Sequence, residues 1–155
     1  MPMTNDRLQQ MLNSQRHLQE ETYGRQIVGL VGEPLMECVR TNVLALEDEL
    51  HEALSETGWK PWASSTHMNV ESFRSELVDV WHFFMNLMLA AGMSADDLEE
   101  GYYAKRSKNV IRQQLGYDGV GGKCPVCHRA LDDAGVTCTP TQCGDETRYI
   151  EEEDL

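Results

Sequence analysis

Apolar residues recur every three or four positions in two long segments of the chain, which is the spacing of one face of an α-helix. Residues 34–55 carry the clearer stripe, made up of Leu35, Val39, Val43, Leu46, Leu50 and Leu54. Residues 70–91 carry another, and residues 6–22, which contain no Gly or Pro, predict a helix ahead of both. No strand-type alternation occurs before residue 120, so the main body is predicted to be all-α.

Capping and helix-breaking residues mark the ends of the predicted helices. Asn69 is a suitable N-cap for the third helix, which Gly92 ends. Ser94 followed by Asp97 indicates the start of a fourth helix, and Gly116 is a natural C-cap at its end. The predicted fold is a four- to five-helix bundle with a small C-terminal zinc-knuckle or zinc-ribbon module.

The composition changes sharply after Tyr117. Residues 118–123 read DGVGGK, and residues 124–155 hold four of the five cysteines and an acidic end. We therefore predict an all-α domain over 1–117, a flexible linker over 118–123, and a separate metal-binding module with an acidic tail over 124–155.

The chain of 155 residues carries a formal net charge of −13. That balance argues against nucleic-acid binding, because affinity for a phosphate backbone depends on clustered Lys and Arg. No apolar run is long enough to span a membrane, and the N-terminus lacks the apolar segment of a signal peptide. A cytoplasmic protein with no membrane partner is expected.

Four acidic residues form two helical pairs with i, i+3 spacing: Glu49 with Glu52, and Glu76 with Asp79. Each pair projects from one side of its helix beside the apolar stripe, and an antiparallel hairpin would bring the two pairs together. Converging carboxylates repel one another, and a divalent cation such as Mg²⁺ would relieve that repulsion. Spacing alone leaves open the alternative that these are ordinary acids on solvated helix faces.

Three further motifs accompany the acidic pairs: Gly58-Trp59-Lys60-Pro61-Trp62, Asp79-Val80-Trp81-His82-Phe83, and Tyr103-x-Lys105-x-x-x-Asn109-x-x-Arg112-Gln113-x-x-Gly116-Tyr117. Together with the acidic pairs, and in this order, they resemble the all-α nucleoside triphosphate pyrophosphatases, the superfamily of MazG-type enzymes and dimeric dUTPases. The three motifs are most similar to the dUTPase branch. The resemblance covers about residues 11–117 and leaves out the cysteine module.

The resemblance implies a hydrolase of nucleotide metabolism that cleaves a deoxynucleoside triphosphate, foremost dUTP, to the monophosphate and pyrophosphate. It implies two or more Mg²⁺ ions held by Glu49, Glu52, Glu76 and Asp79, with Glu49 as the candidate that activates water. The alternative substrate is another (d)NTP, such as dCTP or dGTP. The alternative outside enzymology is a helical interaction protein with a zinc knuckle, whose acids are merely solvated.

The resemblance also suggests substrate-binding residues: Gln15, Gln19, Trp59, Lys60, Trp62, Lys105, Asn109 and Arg112. The cationic side chains would contact phosphates, the amides would read the base or sugar, and an indole would stack on the base. The alternatives are surface solubility for the cations and core filling or subunit contact for the indoles.

Two departures from the family pattern concern base recognition. Arg106 stands where the closing signature has Asn. In the first helix, Gln15 and Gln19 stand where the family carries a Gln and then an Asn. Neither departure involves the acidic pairs. The identity of the base is therefore left open, whereas the expected metal site is unaffected.

The third predicted helix is apolar on more than one side, with Trp81, Phe84, Met85, Leu87, Met88 and Leu89. A helix of this kind is buried on several faces, which predicts a homodimer or a larger homo-oligomer. The alternative is the central helix of a monomeric bundle. His82, on the same helix, is interpreted as a satisfied core residue in preference to a partner of Asp79.

The cysteine cluster has the spacing C-x₂-C-x₁₀-C-x₄-C, formed by Cys124, Cys127, Cys138 and Cys143. Such spacing in a reducing compartment favours a structural Zn²⁺ site over disulfides. A closed Cys₄ site leaves no coordination position for a reacting water, so the module is predicted to be structural and not catalytic.

Overall fold

The computed structural model describes residues 6–114, and all regular elements in this part of the chain are helical. They are α1 (Arg7–His17), a π-helical turn (Leu18–Thr22), α2 (Gly32–Ser55), α3 (Val70–Ala90) and α4 (Ala95–Gln114). The all-α prediction is therefore confirmed for these residues. The predicted linker over 118–123 and the cysteine module over 124–155 lie outside them.

The first predicted helix changes its winding near its end. Asp6 caps α1 by accepting a hydrogen bond from the backbone N–H of Gln9 at 3.1 Å. From Leu18 to Thr22 the backbone widens into one π-helical turn, closed where the Tyr23 N–H donates to the Leu18 carbonyl at 3.1 Å. Single π turns of this kind occur frequently at functional sites.

Helices α2 and α3 form a hairpin and pack along each other. The connection is held at its base by an isolated antiparallel bridge between Thr57 and Met68. Gly58 donates to the His67 carbonyl at 2.8 Å, and Asn69 donates to the Glu56 carbonyl at 2.9 Å. These bonds fix where the chain leaves α2 and enters α3, and so fix the register of the two acidic pairs.

The start of α4 follows the predicted signal. Gly92 turns the chain with φ +69°, a conformation that favours glycine. The Asp97 N–H donates to the Ser94 hydroxyl, while the Asp97 carboxylate accepts from the Ser94 N–H at 2.7 Å and from its hydroxyl at 2.6 Å. These bonds hold the pKa of the Asp97 carboxyl below its usual value. At Asn69 the expected N-cap differs, because its side-chain amide donates to the Ser72 hydroxyl and caps no backbone group.

A small core lies where α1, α3 and the beginning of α4 meet. Its buried members are Leu12, Met85, Met88 and Ala95, and half-buried Leu8, Trp81, Leu89 and Leu98 pack against them. The chain divides into two units after Tyr103, within α4, so the core belongs to the first unit.

Large apolar side chains on α2 and α3 remain exposed in the single chain. Leu44 is 65% exposed and Val78 is 56% exposed, and Leu50, Leu77 and Phe84 are exposed as well. The apolar stripes seen in the sequence are thus only partly used by the described core. Among residues 6–114 no single helix is long and apolar enough to cross a membrane, and only the bent pair α3 and α4, taken together, passes that test.

Candidate active site

Three of the four predicted acidic residues converge across the α2–α3 hairpin. Glu49 comes from α2, and Glu76 and Asp79 come from neighbouring turns of α3. Their carboxylate oxygens lie within 4.8 Å of one another, and all three residues are half-buried. Glu52 is exposed and does not belong to this group. Its assignment as a metal ligand stays a prediction.

The charges of this cluster act most strongly on Glu49. Partial burial raises the pKa of the Glu49 carboxyl, and the negative charges of Glu52, Asp79, Glu76 and Asp48 raise it further. A carboxylate in this position is destabilised unless a cation offsets the neighbouring charges. Oxygen ligands on two facing helices, close enough to share one ion, fit a divalent cation such as Mg²⁺.

The acids border a cleft of about 850 Å³ between α1, the π-helical turn, α2 and α3. Glu49 and Asp79 contribute to its lining, as do Phe83 and the segment that follows the π-helical turn. Five neutral amides line the same cleft: Gln15, Gln19, Gln26, Asn42 and Asn86. The cleft therefore joins a cation-binding edge to a wall rich in neutral amides, with Arg25 and Glu37 also in its lining, which suits a ligand with an anionic tail and a heterocyclic head.

The interior amides form one continuous hydrogen-bond chain. The Gln15 Nε2 donates to the Asn86 Oδ1 at 2.8 Å, and the Asn86 Nδ2 donates to the Asn42 Oδ1 at 2.8 Å. At one end the His82 Nδ1 lies 2.7 Å from the Gln15 Oε1. At the other end the Asn42 Nδ2 donates to the Cys38 carbonyl at 2.8 Å. Gln15 and Asn86 are each only 3% exposed, so these bonds also satisfy buried polar groups.

Gln19 differs from the other amides of the cleft. It lies in the π-helical turn and is 9% exposed, yet its side chain forms no hydrogen bond with any described residue. Its amide atoms are not among the buried, unpartnered polar atoms of the described residues, so they remain accessible from the cleft that Gln19 lines. Gln19, which sequence analysis put among the substrate-binding residues, is therefore available to bind a ligand.

Of the other predicted substrate-binding residues, Trp59, Lys60 and Trp62 belong to the first unit and do not line this cleft. Trp59 and Lys60 are exposed on the α2–α3 connection, with the ammonium group 5.9 Å from the indole ring centre, and Trp62 is exposed nearby. Lys105, Asn109 and Arg112 lie on the part of α4 that follows the unit boundary. The roles suggested for these six residues stay predictions.

Several residues of the cleft were missed by sequence analysis, namely Arg25, Cys38, Asn42 and Asn86. Asn86 did carry a signal, since it interrupts the apolar run Met85 to Leu89 in which a polar side chain needs a buried partner. His82 is satisfied by Gln15, in agreement with its interpretation as a core residue, but it lines the cleft as well. Burial raises the pKa of the Cys38 thiol, against an opposing hydrogen bond from Asn42, and so favours a neutral group at the cleft wall.

The all-helical fold and the acidic cluster beside a polar cleft fit a nucleoside triphosphate pyrophosphatase, and comparison with known proteins assigns the chain to that class. The family model described as dUTPase matches residues 7–93. The chain belongs to this family, the all-α dUTPases. It is 31% identical to a dCTP pyrophosphatase of Enterobacteria phage LZ5 and 29% identical to that of Enterobacteria phage T4. Each match covers 72% of this chain and 83% of the relative. No solved structure matches significantly.

Family membership and these relatives establish the type of reaction. The protein is a hydrolase that converts a deoxynucleoside triphosphate to its monophosphate and pyrophosphate. They also indicate that a divalent metal ion is required, in keeping with the acidic cluster. The non-enzymatic alternative considered for the sequence is thereby set aside.

Proposed function

We propose that the protein is a Mg²⁺-dependent pyrophosphatase for pyrimidine deoxynucleoside triphosphates. The observation that carries the proposal is the position of Glu49, Glu76 and Asp79 at the edge of a cleft lined by neutral amides. The acids would hold the ion beside the triphosphate, and the amides would surround the base. The size of the cleft, about 850 Å³, is ample for one nucleotide.

Mg²⁺ is the ion best matched to this donor set. Glu49, Glu76 and Asp79 supply only carboxylate oxygens, and Mg²⁺ combines a few such ligands with water and phosphate oxygens. A bound divalent ion would neutralise phosphate charge and lower the pKa of a nearby water. Glu52 would contribute through its charge or as a ligand to a second ion, as the sequence resemblance implies.

The residues of the chain suit an in-line hydrolysis. A water oxygen forms a bond to the α-phosphorus, the bond from that phosphorus to the bridging oxygen breaks, and pyrophosphate leaves with the bonding electrons. Glu49 is the group proposed to take the proton of the water, because it lines the cleft beside Glu76 and Asp79 and the sequence resemblance implies this role. Arg25, the one Lys or Arg among the described residues that line the cleft, can contact a phosphate oxygen.

Two similarities support a pyrimidine base. The matching family is described as dUTPase, and the two phage relatives are named dCTP pyrophosphatase. The sequence analysis placed dUTP first and dCTP among the alternatives. Phe83 lines the cleft beside the amides and supplies an aromatic surface for a pyrimidine ring.

Pyrophosphate release with a panel of deoxynucleoside triphosphates tests this proposal. We expect hydrolysis of dCTP, dUTP or both in the presence of Mg²⁺, and the nucleoside monophosphate as the second product. Glu76→Gln should lower kcat/KM by several orders of magnitude, whereas Glu71→Gln, an exposed glutamate at the start of the same helix, should not. Exclusive hydrolysis of purine nucleotides, or equal activity of the two variants, would overturn the proposal.

We also propose that the protein acts as a homodimer or larger homo-oligomer. The support is the set of apolar side chains that α2 and α3 leave exposed in one chain, including Leu44 and Val78. Isolated exposed leucines are ordinary, but several on the two helices that carry the acids favour burial against a second copy.

A structural Zn²⁺ held by Cys124, Cys127, Cys138 and Cys143 completes the proposed cofactors. The support is their spacing in the sequence. A metal analysis of the purified protein should find about one zinc per chain, and replacement of Cys124 and Cys127 by Ser should remove it.

A further inference from the structure

The hydrogen-bond chain through the cleft has only one possible direction. Two of its acceptors are backbone carbonyls, which cannot donate: the Cys38 carbonyl accepts from Asn42, and the His82 carbonyl accepts from the Gln15 Nε2 at 3.4 Å. Reversal of the Asn42 amide would place its oxygen against the Cys38 carbonyl. Reversal of the Gln15 amide would likewise place its oxygen against the His82 carbonyl. The hydrogen-bond chain is therefore held in one orientation from both ends.

This orientation decides what each amide can still offer a ligand. An amide group has two N–H donors, and its oxygen can accept two bonds. Both donors of Gln15 are committed, to Asn86 and to the His82 carbonyl. Those of Asn42 are directed to the carbonyl of Cys38, at 2.8 Å, and to its sulfur, at 3.5 Å. The oxygens of Gln15 and Asn42 each accept only one bond, so both residues retain accepting capacity and no donor.

We propose that the cleft selects a base with an exocyclic amino group, cytosine among the pyrimidines, because Gln15 and Asn42 can only accept hydrogen bonds there. His82 and Asn86 are positioning residues that keep these two amides in the accepting orientation. The inference rests on the proposed function, and it places dCTP ahead of dUTP. The amino group of cytosine carries two N–H donors, one for each of these acceptors. Uracil has the single N3–H donor, and at the amino position it has an oxygen that would face the acceptors of the cleft.

Gln19 has a different part in this arrangement. Its side chain has no partner among the described residues, so its amide can rotate to donate or to accept. It therefore adds affinity for either pyrimidine and does not discriminate between them. We assign the discrimination between cytosine and uracil to the oriented hydrogen-bond chain alone. Variants of the chain should therefore change the ratio of dCTP to dUTP hydrolysis, and variants of Gln19 should not.

A substrate series with the unaltered protein tests the inference without any mutation. kcat/KM is measured for dCTP, for dUTP and for the 2-pyrimidinone deoxynucleoside triphosphate, which has hydrogen in place of the exocyclic group. We expect dCTP to be preferred over both analogues, and over dUTP by roughly tenfold or more. Hydrolysis of dUTP as fast as dCTP overturns the inference and leaves the proposed function standing. Absence of hydrolysis of every pyrimidine nucleotide defeats the proposed function itself.

A variant series tests which residues discriminate. Asn86→Asp puts a carboxylate oxygen against the Asn42 oxygen. Because a charged acceptor binds an N–H group more strongly than the neutral Cys38 carbonyl does, the Asn42 amide should turn and present its N–H groups. The ratio of kcat/KM for dCTP to that for dUTP should fall by about tenfold. Asn13→Asp, an exposed residue of α1, is the matched control and should leave the ratio unchanged.

Gln19→Met supplies the contrasting result. It should lower kcat/KM for both nucleotides by a similar factor and leave their ratio unchanged. A shift of the ratio by Gln19→Met, together with none in Asn86→Asp, would assign discrimination to Gln19 and overturn the inference. If Asn86→Asp proves inactive or fails to fold, the substrate series with the unaltered protein decides the question alone.

Discussion

Replacement of Glu49 by Gln should stabilise the metal-free protein while it removes the metal response. One carboxylate oxygen of Glu49 lies within 4.8 Å of a carboxylate oxygen of Glu76 and of one from Asp79. The negative charges of these two residues repel that of Glu49. Two unit charges 4.8 Å apart repel by about 0.9 kcal/mol in a water-like dielectric and by about 3.5 kcal/mol at an effective dielectric of about 20. Because the site is only half-buried, we take the lower value, and removal of both repulsions gives about 2 kcal/mol.

The sign of this effect depends on the metal ion and on pH. Mg²⁺ at about 100 times its Kd would stabilise the unaltered protein by about 2.7 kcal/mol and the variant by much less, which reverses their order. The folded-state pKa of Glu49 is raised, so its destabilising effect is present above that pKa and fades as the pH falls through it. Below the ordinary value of 4.5, Glu49 is protonated in both the folded and the unfolded state, and the difference should vanish.

Urea unfolding at one fixed protein concentration, with EDTA and with Mg²⁺, measures these differences. Glu47→Gln, an exposed glutamate of the same helix, is the matched control and should show neither the gain in EDTA nor the lost Mg²⁺ response. An EDTA stability of Glu49→Gln equal to or below that of the unaltered protein would refute the electrostatic reasoning. Equal stabilisation of both by Mg²⁺ would refute the assignment of Glu49 to the metal site.

Three further predictions concern the rest of the site and its support. Glu52→Gln should weaken Mg²⁺ binding in calorimetry less than Glu76→Gln, because the Glu52 carboxylate lies outside the group of three; the opposite order would place the ion elsewhere. Gly58→Ala should destabilise the protein by about 1–3 kcal/mol in urea unfolding, since a Cβ there would collide with the Ser65 carbonyl oxygen; unchanged stability would contradict the close approach. Leu44→Glu should shift the sedimentation coefficient toward the monomer, and an unchanged oligomer would exclude Leu44 from the interface.

The helices could be predicted from the sequence because their apolar stripes follow the helical period. The stripe over 34–55 and the capping signal at Ser94 both correspond to observed helices. The π-helical turn at Leu18 could not be predicted, since one widened turn leaves the apolar spacing almost unchanged. The Asn69 side chain can accept a hydrogen bond from a backbone N–H or donate one to the Ser72 hydroxyl, and residue type alone does not decide between the two.

The acidic part of the site was also accessible from the sequence. Glu76 and Asp79 must share one side of a helix, and a hairpin must bring them near Glu49. The amide chain was not accessible, because its members come from three helices and their pairing depends on the register of those helices. From the sequence alone, an amide such as Asn42 cannot be distinguished from an ordinary surface residue, because its hydrogen-bond partner lies on another helix.

The most direct test of the central claim is a product analysis of deoxynucleotide hydrolysis. Purified protein is incubated with dCTP and dUTP in Mg²⁺ or in EDTA, and the products are separated by anion-exchange chromatography. The account predicts the monophosphate and pyrophosphate in equal amounts with Mg²⁺, none with EDTA, and none with Glu49→Gln. Release of inorganic phosphate with the diphosphate as partner product, or activity that survives both EDTA and Glu49→Gln, would contradict it.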